Sequence, residues 1–167
     1  MPLSPDELIA YLDTLGIHST TLEHPPLHTV EESRSVHAGA PGAHVKNLFV
    51  KDKKSRLFVI TALQDAPLDL KTMHGAVGGQ GRVSFGSAEL LWELWGVRPG
   101  AVTPFGAIND REGRVTQVLD HRLLQHELVN CHPLVNTRTT TIKTADLLVF
   151  LKAVRHEPLI AQLPLQI

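Results

Sequence analysis

The sequence predicts an α+β fold, in which a mixed, largely antiparallel β-sheet or barrel carries peripheral helices. Three observations lead there. Strand-like stretches outnumber helical ones. They do not alternate regularly with helices, as a doubly wound sheet requires. Residues 42–63 also read as two long strands joined by a charged turn at Asp52 to Ser55.

The first element is a helix with clear ends. Ser4 can cap it, Pro5 suits the first turn, Glu7 completes an S-x-x-E capping box, and Gly16 stops it. Leu8, Leu12 and Leu15 form its apolar stripe. A short strand from Ser19 to Glu23 follows, cut off by Pro25-Pro26. Thr29 and Glu32 make a second capping box, opening a helix to about Ala38, and a Gly-Ala-Pro-Gly loop at 39–42 feeds the hairpin. Residues 67–76 read as a short helix, residues 78–81 as a glycine-rich turn, and Arg82 to Phe85 as a strand. Ser87 caps a helix through Leu90, Leu91 and Leu94 that Gly96 ends. Gly100 to Pro104 is a loop or edge. Three strands, Val115 to Leu119, Glu127 to Cys131 and Arg138 to Ile142, precede a last helix from about Thr144 to Arg155.

Length and composition narrow the function. The chain has 167 residues, suited to a single domain spanning 1–167, and there is no internal repeat. No apolar run approaches a membrane span, and the N-terminus lacks the pattern of a signal peptide. The single cysteine, Cys131, excludes an intramolecular disulfide and fits a cytoplasmic protein. A net charge of −1 argues against wrapping a long nucleic acid, though not against gripping one short end.

Ten histidines make a metal site worth testing. Pro25 and Pro26 separate His24 from His28 and forbid a helical pair, while His37/His44 and His121/His126 have no ligand spacing. No metal is therefore expected, and the histidines read as surface or capping residues. Cys131 and His132 are strand neighbours that point to opposite faces, so they do not form a thiolate–imidazole couple. There is no nucleophile elbow and no standard phosphate-binding glycine loop.

What remains is polar residues in unusual places. Lys46 alternates with Leu48 and Val50, so it shares a face that should be buried. It is either a snorkelling lysine on an edge strand or a cation facing a ligand. Asn47 beside it, the His132-Pro133 strand end and the Gly100 to Pro104 loop each have an ordinary structural explanation too. Lys51, Lys53 and Lys54 most simply form a solvated turn.

Taken together, EHPPLHTVEES (23–33), HVKNLFVKDKKSRLFVITA (44–62), GAVTP (100–104) and LVNCHPLVNTRTTTI (128–142) resemble the YbaK-type aminoacyl-tRNA deacylase family. The likeness is closest to its free-standing prolyl-tRNA editing branch, the ProXp-ala- and PrdX-like proteins. The resemblance implies the fold of the prolyl-tRNA synthetase editing domain. It also implies an enzyme, an aminoacyl-tRNA hydrolase that removes alanine mischarged onto tRNA(Pro) without metal or cofactor. Alternatives within reach are a deacylase for cysteine or serine and a non-catalytic module that binds a tRNA end. The expected partner is the tRNA acceptor end, with a prolyl-tRNA synthetase left open and neither DNA nor membrane expected.

The resemblance also assigns roles. Lys46 would pair with a phosphate at the tRNA 3′ end. Backbone N–H groups around Gly100 and Ala101 would hold the ester carbonyl, with Val102, Thr103 and Pro104 completing that loop. His132 would shape the amino-acid pocket and Asn47 would line it. Thr29 and Ser33 fall in the substrate-proximal N-terminal segment. The attacking water would be positioned by the substrate's own terminal ribose hydroxyl.

Overall fold

The structure is a computed structural model, in which residues 1–26 and 39–166 are described. The helix expected from Thr29 to Ala38 lies outside those residues. Four helices are described, α1 (Pro5–Thr14), α2 (Met73–Val77), α3 (Ala88–Trp95) and α4 (Thr144–Ala153), with short 3-10 helices at Pro104–Asn109 and His121–Gln125. Eight strands accompany them: β1 (Thr20–Glu23), β2 (Ala43–Lys51), β3 (Leu57–Leu63), β4 (Ser84–Phe85), β5 (Val115–Asp120), β6 (Leu128–Cys131), β7 (Arg138–Lys143) and β8 (Leu159–Ala161).

The strands form one open sheet in the order β1-β7-β6-β2-β3-β5-β8, with β4 also paired to β2. Four pairings are antiparallel and three (β2–β6, β3–β5 and β5–β8) are parallel. The expected α+β architecture is observed, as an open sheet rather than a closed barrel.

Local sequence explains most ends. In α1 the Ser4 hydroxyl accepts from the Glu7 N–H at 3.1 Å, and the Glu7 carboxylate accepts from the Ser4 N–H at 3.0 Å. The Ser87 hydroxyl caps α3 through the Leu90 N–H, and Gly96, with φ of 70°, ends it.

The expected helix at 67–76 begins only at Met73. The Asp69 carboxylate accepts from the Lys71 N–H and the Thr72 hydroxyl, a local turn that competes with helix, while Leu68 bridges to Leu165. Strand β8 was not expected. Its three residues are too short for alternation to reveal, and it exists because β5 offers an edge.

Two apolar layers sandwich the sheet. Phe49, Leu57, Val59, Val115, Leu119, Val129 and Cys131 face α1, α3 and α4, around Trp95, Phe105 and Phe150. The opposite face, with Val50, Phe58, Ile60, Ala62 and Val118, packs under α2 and the C-terminal stretch at Ala161 and Leu163. Strand β2 therefore lies in the middle of the sheet with an apolar layer on each side. At Lys46 itself, however, β2 is paired only with β3, because β6 pairs at Ala43 and His44 and β4 at Val50 and Lys51, so among the described residues its other side has no strand partner.

Candidate functional site

Strand β2 supplies two polar residues to opposite sides. Lys46 pairs across β3 with Ala62, and Asn47 with Thr61. Lys46 shares the face of Leu48 and Val50, and it is half-buried. Its Nζ donates to the carbonyl of Ala66, which also accepts from the Leu68 N–H at 3.0 Å. Among the described residues no carboxylate stands within ion-pair distance of Lys46. A carbonyl partner brings no net charge that would compete with an incoming anion.

The parallel pairing of β2 with β6 brings His132 alongside. Ala43 sits opposite Val129 and His44 opposite Asn130. The pairing ends at that step; His132 follows directly on β6, and Lys46 lies two residues further along β2. Strand β6 carries further polar groups, since the Asn130 amide donates to the carbonyls of Pro41 and Ala43 and its oxygen accepts from Thr141. His132 Nδ1 lies 2.9 Å from the Arg138 carbonyl and must therefore be the donor, which leaves Nε2 as the acceptor in the neutral ring. Burial pushes the His132 pKa down; the Arg138 carbonyl opposes this and the neighbouring His24 adds to it, so the net shift is downward. His24, 6.4 Å away between ring centroids, uses Nδ1 on the Pro25 carbonyl and Nε2 on the Thr139 hydroxyl.

Asn47 belongs to the other face, where it is fixed by a buried polar chain. Gln117 Nε2 donates to Thr61 Oγ1 at 2.9 Å, and that hydroxyl donates in turn to Asn47 Oδ1. The Gln117 oxygen is buried with no partner among the described residues. Neither Gln117 nor Thr61 was singled out from sequence. The readable signal was alternation, which sets Gln117 on one buried face with Val115 and Leu119.

The 100–104 loop divides in two. Gly100 is exposed with φ of 90°, a left-handed conformation that favours glycine, and a side chain there would first meet Asn136 at 3.6 Å. Asn136 lies in the β6–β7 turn that His132 opens, so the loop approaches that end of the site. The Ala101 N–H already donates to the Arg98 carbonyl at 3.0 Å, and Ala101 packs into the core. For the N–H groups of Gly100 and Val102 no acceptor is found among the described residues.

Thr103 and Pro104 are buried, which corrects their expected contact with substrate; in this conformation they anchor the loop instead. Thr103 Oγ1 accepts from the Phe105 N–H, and its carbonyl accepts from Trp95 Nε1 at 2.6 Å. Trp95 in turn lies edge-on to His156, 5.7 Å between centroids, and His156 Nε2 bonds Asp110 at 2.9 Å. Nothing in the sequence pointed to this anchor, because Trp95 and Thr103 meet only through the fold. Thr29 and Ser33 lie outside the described residues.

Cys131 is buried in the core, and burial pushes its thiol pKa up to about 12. Such a thiol is not a nucleophile at neutral pH. Among the described residues no three His, Cys, Asp or Glu side chains gather as a metal site requires, and no helix is long and apolar enough to cross a membrane.

Comparison with known proteins identifies the family and the fold. Residues 24–150 match the model of the aminoacyl-tRNA editing domain. "Prolyl-tRNA synthetase associated domain-containing protein 1" of Danio rerio is 40% identical over 156 residues, covering 92% of this chain and 84% of that one. "Prolyl-tRNA editing protein ProX" of Acetoanaerobium sticklandii is 36% identical over 147 residues, covering 87% and 89%. A crystal structure proposed as a trans-editing enzyme for prolyl tRNA synthetase superposes with a TM-score of 0.72 at 22% identity, over 98% of this chain and 99% of that one, a likeness of fold. The chain belongs to the aminoacyl-tRNA editing domain family.

Proposed function

We propose that this chain, acting as one editing domain, is a trans-editing deacylase that hydrolyses the ester of mischarged tRNA, with Ala-tRNA(Pro) as its substrate. The observation that carries the reading is Lys46: a half-buried lysine on β2, held by one carbonyl, with no carboxylate in reach among the described residues. It is a point charge on a flexible stem, suited to a phosphate at the tRNA 3′ end. The names of the relatives support the proline system, since both refer to prolyl-tRNA or its synthetase.

The need for such an enzyme is physical. A pocket sized for proline cannot refuse the smaller alanine, because lost methylene contacts give only about 1–3 kcal/mol of discrimination. A second, smaller site can admit alanine and exclude proline. His132, neutral at physiological pH with Nδ1 tied to the Arg138 carbonyl, gives one wall of that site a fixed shape.

In this mechanism Lys46 fixes the terminal phosphate, and the N–H groups of Gly100 and Val102 meet the ester carbonyl as negative charge develops on it. The Ala101 N–H, already bonded to Arg98, sets the curvature of the loop. Water attacks the carbonyl carbon, positioned by the terminal ribose hydroxyl of the substrate, and the tRNA leaves with its hydroxyl reprotonated. With Cys131 buried and protonated, the ester is cleaved without an acyl-enzyme.

Deacylation of a panel of mischarged tRNAs by the purified protein tests this. Ala-tRNA(Pro) should be hydrolysed well above the buffer rate. No acceleration would sink the proposal, and faster hydrolysis of Cys- or Ser-tRNA would reassign the substrate.

A further inference from the structure

The helical side of the molecule carries a hollow that the candidate site does not use. Its volume is about 430 Å³, within the range of small-molecule sites, roughly 300–1,000 Å³. Leu3, Tyr11, Ile108 and Val154 form its apolar walls. All four are partly buried and pack on the core, and the Tyr11 ring stands edge-on to Phe150 with 6.2 Å between centroids. These walls come from α1 and the stretch before it, the 3-10 helix at Pro104–Asn109 and the end of α4. They pack on the sheet face opposite to the one that carries Lys46.

Two exposed arginines from separate segments, Arg111 and Arg155, complete the lining. A buried bond holds those segments together. Asp110 and His156 lie 2.9 Å apart, and each arginine is the chain neighbour of one of them. Arg155 also has φ of 62°, a left-handed conformation at a helix end, where glycine is favoured. Its N–H bonds the Lys152 carbonyl at 3.1 Å, and the His156 N–H bonds the Leu151 carbonyl at 2.8 Å, so backbone alone closes α4. A glycine would close the helix equally well; what the arginine adds is a charge beside the hollow. No Asp or Glu lines it. Neither arginine forms an ion pair among the described residues, although Glu112 and Glu157 are close in the chain.

We infer that this hollow is a second binding site, one that takes a small monocarboxylate with an apolar body. The carboxylate would lie between Arg111 and Arg155, and the body against Leu3, Tyr11 and Ile108. Arginine suits that role because its planar fork matches a carboxylate and its charge persists at any physiological pH. The walls select the rest of the ligand. Apolar side chains offer nothing to the hydroxyls of a sugar, and without an acidic residue the ammonium group of a free amino acid has no partner. Ile108 belongs to the 3-10 helix that Thr103 caps, so an occupant would rest against the element that follows the 100–104 loop. The inference does not depend on the function proposed above.

Isothermal titration calorimetry of the full chain tests this, with octanoate as the probe. Octanoate should bind saturably at one site per chain. Octan-1-ol and acetate, which each lack one half of the ligand, should bind at least ten-fold more weakly. Arg111→Gln/Arg155→Gln should weaken octanoate binding at least ten-fold, whereas Arg82→Gln removes an exposed arginine elsewhere and should leave it unchanged. Arg155→Gly separates charge from folding. Glycine suits the left-handed backbone, so this variant should be at least as stable as the wild type and still bind octanoate more weakly. No saturable binding, equal affinity for octan-1-ol and octanoate, or unchanged affinity in the double variant would each overturn the inference. Acetate binding as tightly as octanoate would overturn it too, in favour of a plain anion site. Because no tRNA enters the assay, the result stands whether or not deacylation is found.

Discussion

Gly106 offers the sharpest test of how the candidate carbonyl-binding loop is held. A Cβ added there would stand 2.0 Å from Cδ1, 2.2 Å from Nε1 and 2.6 Å from Cγ of Trp95. Atoms cannot approach within 3.0 Å, so the indole would have to retreat by about 1 Å, yet Trp95 is fully buried. Overpacking of this kind costs about 1–3 kcal/mol. Retreat also breaks the 2.6 Å bond from Trp95 Nε1 to the Thr103 carbonyl, and leaving that buried acceptor unpaired adds about 1–3 kcal/mol. Gly106→Ala should therefore lose roughly 2–6 kcal/mol, which lowers the thermal midpoint of a chain of this length by roughly 4–24 °C.

Because Thr103 anchors the loop that begins at Gly100, single-turnover deacylation should slow even at temperatures where the variant is folded. The cause can be isolated with Trp95→Leu. In that background Gly106→Ala should cost less by about 1 kcal/mol or more, because the two residues share one contact. Thermal unfolding and chemical denaturation of the four proteins measure the cycle. Gly106→Ala within about 0.5 kcal/mol of wild type, the range of an ordinary surface change, would refute the reasoning.

Other outcomes follow from the same geometry. Lys46→Ala should raise the KM for mischarged tRNA at least ten-fold, and unchanged kinetics would remove it from phosphate binding. Gly100→Ala should lower turnover, since the left-handed backbone there costs a side chain about 1–2 kcal/mol and the loop would relax away from it; a wild-type rate would exclude the loop from the chemistry. At pH 8, Cys131 should resist alkylation in the native protein and react on denaturation, and fast native labelling would contradict its burial.

His156 and Asp110 predict a pH dependence. Burial pulls the His156 pKa down, but the bond to Asp110, the Val154 carbonyl and the Asp110 charge outweigh it, so the net shift is upward; Asp110 is correspondingly lowered. The histidine's contribution is complete below its unfolded value of about 6.5 and is lost as pH rises through the folded value. The carboxylate's contribution is present above about 3.9 and is lost as pH falls through its folded value. Urea unfolding from pH 5 to 9 should show stability declining on the alkaline side in the wild type and a flatter profile in His156→Gln. Identical profiles would refute the link.

Much of the fold was legible because its cues are local. The Ser4–Glu7 box, the Ser87 cap and the β2–β3 hairpin depend on residues a few positions apart, and each is found where the sequence put it. The parallel pairings β2–β6 and β3–β5 join segments far apart in the chain, and no pattern within a segment declares its partner. For the same reason alternation identified Lys46 as anomalous but could not say that β2 is central. The 100–104 loop was visible from its glycine and proline, yet the burial of Thr103 and Pro104 depends on Trp95, which arrives from another helix. The helix expected at 67–76 starts late because Asp69 holds a local turn, a competition that the sequence pattern of the segment does not display.

The chain from Gln117 through Thr61 to Asn47 carries its hydrogens in one direction only. Gln117 gives to Thr61 and Thr61 gives to Asn47, so rotating the Asn47 amide would leave the Thr61 hydroxyl hydrogen without its acceptor. With Oδ1 committed to Thr61, what Asn47 has left to offer is its N–H donors. That polarity is set two residues away, by a glutamine 2% exposed that a substrate need never touch. A change at Gln117 would therefore alter how Asn47 is held while Asn47 itself stayed the same.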